Sequence, residues 1–311
     1  MPSRRDFVSG LALSAAGLAF SAQTRFAFAA STAEPVAGAL QTRAIPSTGQ
    51  QLPVIGMGSS GSFEVGADAA ARDPLKEVLR RFFTAGATLI DTAPSYGSAE
   101  AVIGDLLAEL GLRSRAFLAT KIGTTGREAG LAQFERSLQL LKTDKVELLQ
   151  IHNLKDWRTQ FALIKELKQQ GRTRYTGLTH YLDSSHDELA EVVRTVKPDF
   201  LQINYSVVSR GAETKVFRVA QELGVAVLVN RAFEDGKLFS QVRGKTLPPW
   251  AAEVGITSWA QAFLKFALSH PAVTTVIPAT GKPDRQTDNL KAGTGPNLTE
   301  AQRQSLVSLF S

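Results

Sequence analysis

The run Ala87-Thr-Leu-Ile90 passes directly into Asp91-Thr-Ala-Pro-Ser-Tyr96-Gly97, so a short apolar stretch of strand character ends in a carboxylate and a phenol. Two further runs end the same way, one in Ala119-Thr-Lys121 and one in Leu148-Leu-Gln-Ile-His152. In a parallel barrel the C-terminal ends of successive strands meet at one mouth, where enzymes of that architecture keep their chemistry. Asp91, Tyr96, Lys121 and His152 therefore read as one site.

Outward from these three strands, short apolar runs alternate with amphipathic helical stretches, the pattern of repeated βα units. Strands are expected near Val54–Gly56, Thr88–Asp91, Phe117–Lys121, Val146–His152, Tyr175–Leu178, Phe200–Ile203, Ala226–Val229 and Thr274–Ile277. Helices are expected over Leu75–Thr84, Ala99–Leu110, Ala132–Leu141, Phe161–Gln170, Asp187–Val196, Glu213–Leu223, Trp259–Leu268 and Thr299–Leu309. Gly86, Gly111, Gly171 and Gly224 stand where helices end, a place for the left-handed capping conformation. Ahead of the first strand, Leu40–Ala44 and Gln51–Val54 flank the turn residues Pro46-Ser-Thr-Gly49 and predict a β-hairpin. Alternation alone fits a (β/α)8 TIM barrel or a doubly wound open sheet equally well.

Length and composition agree with one large domain. The chain has 311 residues, 43% hydrophobic and 21% charged, which is ordinary for a globular protein with a sizeable core. It has no cysteine, which excludes disulfides, thiolate metal sites and a cysteine nucleophile. His180, His186 and His270 lack metal-ligand spacing, and no metal is expected. The net charge of +6 has no clustered Lys/Arg run or aromatic-basic face behind it, so nucleic acid is not an expected partner.

The N-terminus carries a second message. Ser3-Arg4-Arg5-Asp6-Phe7-Val8 precedes an Ala/Leu-rich stretch from Leu11 to Phe20 and then Ala27-Phe28-Ala29. This looks like a twin-arginine export signal over residues 1–30 with a small-residue cleavage site. The apolar stretch falls short of the roughly 20 residues that a membrane span needs. The expectation is a periplasmic protein that meets the twin-arginine machinery and touches the membrane only during export. A linker over residues 31–39 then leads into a barrel over residues 40–311.

The ordered set Asp91, Tyr96, Lys121, His152 resembles the catalytic tetrad of the aldo-keto reductase family, and the resemblance extends over roughly residues 40–295. Leu52-Pro-Val-Ile-Gly-Met-Gly58, Ser137-Leu138, Gln202-Ile-Asn-Tyr205, and Ile277-Pro278 with Arg285 and Asn289 support it. The resemblance implies a TIM barrel whose bottom the hairpin plugs, and NADPH-dependent reduction of aldehydes or ketones. It also implies that NADPH/NADP+ meets Gly58, Thr179, His180, Gln202, Asn230, Arg231, Thr280, Arg285 and Asn289. Among these, Gln202 matches the nicotinamide-amide position and Arg285 the 2′-phosphate position, with Asn289 at adenine. Two departures stand out. Thr179-His180 occupies a place where many members have Ser-Asn, and Asn230 replaces the aromatic that stacks on the nicotinamide, leaving Tyr205 or Phe233 as substitutes.

The four residues suit carbonyl reduction chemically. A phenol donates a proton, but its unperturbed pKa of about 10 is high for work near neutrality. A neighbouring ammonium favours the phenolate, which gives Lys121 its role, with Asp91 holding it charged. His152 can hydrogen-bond the carbonyl oxygen or relay a proton. Each residue taken singly also has an ordinary structural explanation, from a buried ion pair to a strand-end histidine. Phe63, Trp157, Phe233 and Trp250 are candidates for an apolar pocket at the mouth. Two other readings stay open: a nicotinamide-nucleotide-binding sensor or partner subunit with little turnover, and a barrel lyase or isomerase that uses Lys121 and Asp91 without nicotinamide.

Overall fold

The computed structural model describes residues 38–310, and the expected export signal and most of the linker lie outside them. The hairpin is β1 (Thr42–Ala44) and β2 (Gln51–Pro53), antiparallel, with Arg43 opposite Leu52. Eight parallel strands follow: β3 (Met57–Gly58), β4 (Leu89–Asp91), β5 (Phe117–Ile122), β6 (Val146–Ile151), β7 (Thr173–Thr179), β8 (Phe200–Asn204), β9 (Ala226–Asn230) and β10 (Val273–Val276). Each pairs with its neighbour in chain order. Parallel bridges from Ile55 to Val276 and from Gly58 to Ala279 join the first strand region to the last. That junction makes the sheet a TIM barrel and removes the open-sheet alternative.

The first strand is displaced from its expected position. Val54–Gly56 bond to Val276, through Val276 N–H to Val54 O and Gly56 N–H to Val276 O, both 2.9 Å, while Val54 N–H turns back to Gln41 O at 3.0 Å. Regular pairing begins at Met57, where Ile90 of β4 comes alongside.

The helices are α1 (Ala69–Thr84), α2 (Ala99–Glu109), α3 (Arg127–Leu140), α4 (Trp157–Gln169), α5 (His186–Val196), α6 (Val216–Leu223), α7 (Lys237–Gln241), α8 (Trp259–Leu268), α9 (Pro283–Lys291) and α10 (Glu300–Val307). α1 starts ahead of its expected Leu75 because the Asp68 side chain accepts from Ala70 N–H, and the helix tolerates Pro74 in its second turn. Gly86, Gly111, Gly171 and Gly224 all take positive φ after helices, as their positions predicted.

Period-two alternation along the strands sorts side chains into two layers. Outward residues pack against the helices in the larger core. Inward residues form a second cluster in which Leu89, Phe117, Ala119, Leu148, Tyr175, Phe200, Ala226 and Leu228 meet Ile45 and Leu52 of the hairpin. Tyr175 ties the two together, its hydroxyl 2.8 Å from Thr48 Oγ1 and from Gln50 Oε1. The hairpin thus closes the barrel bottom. Two residues farther along these strands, the same inward columns turn polar, with Asp91, Lys121, Gln150, Gln202 and Asn230.

Close helix packing holds the element that carries Tyr96. Gly104 of α2 lies so near α3 that an added Cβ would stand 2.1 Å from Leu140 O and 2.8 Å from Leu141 Cα. Backbone cannot yield as a side chain can. Gly104→Ala is expected to lower stability by about 1–3 kcal/mol, read as a lower urea midpoint; an unchanged midpoint would show that α2 shifts freely.

Candidate active site

Asp91 ends β4, Lys121 lies near the end of β5, and His152 directly follows β6, so three neighbouring strands deliver them together. Tyr96 arrives on the β4–α2 connection, between the turn bond from its own N–H to Ala93 O and the bond from Ala99 N–H to Tyr96 O. Glu100, on the first turn of α2, fixes that connection to the barrel: its buried carboxyl accepts from Thr120 Oγ1 at 2.6 Å and Ser137 Oγ at 3.2 Å. Burial raises the Glu100 pKa, and its two hydroxyl partners act in the opposite direction.

Lys121 is fully buried and donates to Asp91 Oδ2 at 2.7 Å and Thr92 O at 2.8 Å. Burial works against the ammonium, but the Asp91 carboxylate and then the Tyr96 hydroxyl outweigh it, so its pKa lies above the usual lysine value. The ammonium sits 5.0 Å from the Tyr96 ring centre. His152 meets Tyr96 edge to face, centroids 5.9 Å apart, and its Nδ1 is 3.5 Å from Ser95 Oγ. Burial, with the Lys121 charge beside it, depresses the His152 pKa to about 4. His152 is therefore neutral at neutral pH, with one ring N–H available to donate.

Asp91, Tyr96 and His152 open into a cavity of about 770 Å³, also lined by Gly58, Thr179, Gln202, Asn230, Arg231 and Arg285. A second cavity of about 490 Å³ adjoins it, sharing Phe233, Phe239, Ala279 and Arg285, and brings in Thr280, Asn289 and Trp259. One cleft therefore runs from the tetrad to the start of α9. Its wall is conformationally restricted: Asn153, Arg231 and Asp235 line it with left-handed backbone, φ of 52°, 53° and 53°. Such values are uncommon for side-chain-bearing residues and cluster at functional sites. Arg231 pairs with Asp235 and lies 5.3 Å above the Tyr181 ring.

Nearly all the residues expected at the site line this cleft. Two do not: Lys121 is buried beneath it, and His180 is turned away, its ring largely buried, its Nδ1 accepting from Leu182 N–H and its carbonyl accepting from Asn230 Nδ2 at 3.1 Å. Gln202 donates to Asp91 Oδ1 at 2.8 Å and accepts from Asn230 Nδ2 at 3.4 Å, so it is already part of the tetrad's support.

Several aromatic expectations fail. Tyr205 is fully buried behind the barrel wall, bonded to Glu213 and Arg303, and cannot stack on a ligand in the cleft. Phe63 is core, and Trp250 bonds Ser305 on the surface. Trp157 opens α4 under the Arg158 guanidinium, leaving Phe233 as the one of the four pocket candidates on the cleft wall. The sequence reading missed Tyr181, which lines the cleft from the loop after β7, Phe239, which lines it from the short helix α7, and Gln150. Gln150 had a readable signal, since it lies two residues before His152 on a strand and so faces the same way.

With this geometry in hand, comparison with known proteins is specific. A methylglyoxal reductase of Escherichia coli (strain K12) is 28% identical over 236 residues, covering 72% of this chain and 80% of the relative. A crystal structure of an aldo-keto reductase from Klebsiella pneumoniae in complex with NADPH superposes with a TM-score of 0.74 at 25% identity, over 87% of this chain and 95% of that one. Another from the same organism, in complex with NADP and acetate, gives 0.72 at 26% identity, over 84% and 93%. The aldo/keto reductase family model matches residues 54–309. That match spans the whole barrel from its first strand to its last helix, and the chain belongs to the aldo/keto reductase family.

Proposed function

We propose that this protein is an NADP-dependent oxidoreductase that reduces an aldehyde or ketone to the alcohol, with Tyr96 as the proton donor. The observation that carries the reading is the buried Asp91–Lys121 pair at 2.7 Å, set beneath Tyr96 and His152 at the floor of an open cleft. The cleft's donor set fits a phosphorylated dinucleotide. Arg285, Thr280 and Asn289 gather at one end, with Gln202 and Asn230 at the other. Gly58, on the wall between them, lies close against the last strand, where a Cβ would stand 3.0 Å from Ile277 O. When bound, NADPH supplies the hydride that the carbonyl carbon accepts.

The remaining work falls to the chain's own residues. Neutral His152 donates a hydrogen bond to the carbonyl oxygen and steadies the negative charge that grows there. Tyr96 hands its hydroxyl proton to the same oxygen, and the Lys121 ammonium makes that transfer easier by favouring the phenolate left behind. Asp91 keeps Lys121 charged within a buried site. Arg285 is the residue for the 2′-phosphate, which a guanidinium contacts through charge-assisted, bidentate hydrogen bonds.

One feature favours a second reading, in which the protein binds the nucleotide as a sensor or partner subunit with little turnover. Asn230, where an aromatic platform was expected, is tied to His180 O and Gln202 rather than presenting a ring to the cleft. Export is part of the proposal as well, on the strength of Arg4-Arg5 and the short apolar stretch behind them.

Tyr96→Phe is expected to lower the rate of NADPH oxidation with an added aldehyde by about 10²–10⁴, with cofactor binding near wild type. Near-normal turnover in this variant would remove Tyr96 from its role, and a wild-type chain that binds NADPH without oxidising it favours the sensor. Arg285→Leu should weaken NADPH binding about tenfold or more, from the roughly 1.5–3 kcal/mol of a charged hydrogen bond, and leave NADH little changed. Equal losses for both cofactors in a fluorescence titration would make Arg285 a support for the fold. For export, lysine at both Arg4 and Arg5 is expected to leave full-length, active protein in the cytoplasm. Fractionation with N-terminal sequencing decides that point, and wild-type chains found intact in the cytoplasm would refute it.

A further inference from the structure

Gln150 is wholly buried on β6, and its Nε2 donates to Asp91 Oδ1 at 3.0 Å. The same oxygen accepts from Gln202 Nε2 at 2.8 Å, while Lys121 holds Oδ2 at 2.7 Å. The carboxylate is therefore divided, one oxygen for two amides and the other for the ammonium. Its plane cannot turn without breaking a bond on either side.

The neighbouring strands are fitted to this glutamine. Lys121 is its register partner on β5 and Gly177 its partner on β7. A Cβ on residue 177 would lie 2.7 Å from Gln150 Cγ, so the glycine leaves the space through which the side chain reaches Asp91. Stability alone does not explain the choice. Gln150 Oε1 is buried with no hydrogen-bond partner, a cost that leucine of similar size would not carry.

We propose that Gln150 is a positioning residue for carbonyl reduction: together with Gln202 it orients Asp91 toward Lys121 and so sets how strongly the ammonium acts on the Tyr96 hydroxyl. This rests on the roles given above to Tyr96 and Lys121. The ionisable groups around the pair are Asp91 on β4, Tyr96 on the following loop, Glu100 on α2, Lys121 itself, His152 after β6, and His180 after β7 beside His152. Gln150 touches the first of these and none of the reacting atoms. Without its donor, the Asp91 charge is less satisfied and draws more on the Lys121 proton, so Tyr96 feels a weaker positive field. The phenol is then a weaker proton donor to the carbonyl oxygen.

The test uses the full chain with NADPH and 4-nitrobenzaldehyde, following kcat and KM against pH, with thermal melts alongside. Gln150→Leu is expected to reduce kcat about tenfold and to leave KM and NADPH affinity within about twofold. Gly177→Ala, which pushes the Gln150 side chain aside, should likewise lower kcat with KM little changed. It also serves if Gln150→Leu does not fold. A kcat equal to that of wild type, with only a lower melting temperature, would overturn the proposal. A wild-type chain with no reductase activity at all would instead overturn the underlying assignment of function.

Discussion

The buried pair between Asp91 and Lys121 is the constraint around which this barrel is organised. Two opposite charges out of water have an unfavourable desolvation term, and their attraction offsets it only where geometry is good and the remaining lone pairs are satisfied. Here they are: the second Asp91 oxygen takes two amide donors, and Lys121 adds the Thr92 carbonyl to its carboxylate. Loss of either charge would strand the other, at a cost of about 3–5 kcal/mol. Because the pair joins adjacent strands, it also guards their register. A slip of one residue would turn Lys121 outward into the apolar helix layer.

The same geometry explains the change of character along the barrel axis. Each inward column starts apolar where the strands begin and ends polar where they finish, as in Leu89 to Asp91, Leu148 to Gln150 and Phe200 to Gln202. The lower layers supply stability through burial, with Tyr175 packed between Phe117 and Phe200. The top layer spends some of that stability on groups that water would otherwise solvate. Stability and chemistry thus occupy different heights of one sheet.

Much of this was legible in the sequence, and the failures have definite causes. Asp91, Tyr96, Lys121 and His152 could be read together because strand ends converge in a parallel barrel, and helix-terminal glycines marked the repeat. Whether the sheet closed could not be read, since closure depends on Ile55 meeting Val276 from opposite ends of the chain. Gln150 lay inside a run already singled out, yet an amide has no titration to attract notice, and its importance comes from sharing an acceptor with Gln202. Tyr205 was misjudged although parity argued against it: Gln202 points inward, so a residue three positions on points away. Tyr181 reaches the cleft on a loop and Phe239 on the five-residue helix α7, too short for periodicity to mark.

The hairpin at the bottom has an effect on traffic. With Ile45 and Leu52 seated against the lowest inward layer and Tyr175 bonded to the turn, the barrel is a blind well with one doorway. Everything that reaches Tyr96 must come in over the same rim and go out over it. The reach of cleft from Gln202 to Asn289 therefore shares its doorway with whatever approaches Tyr96.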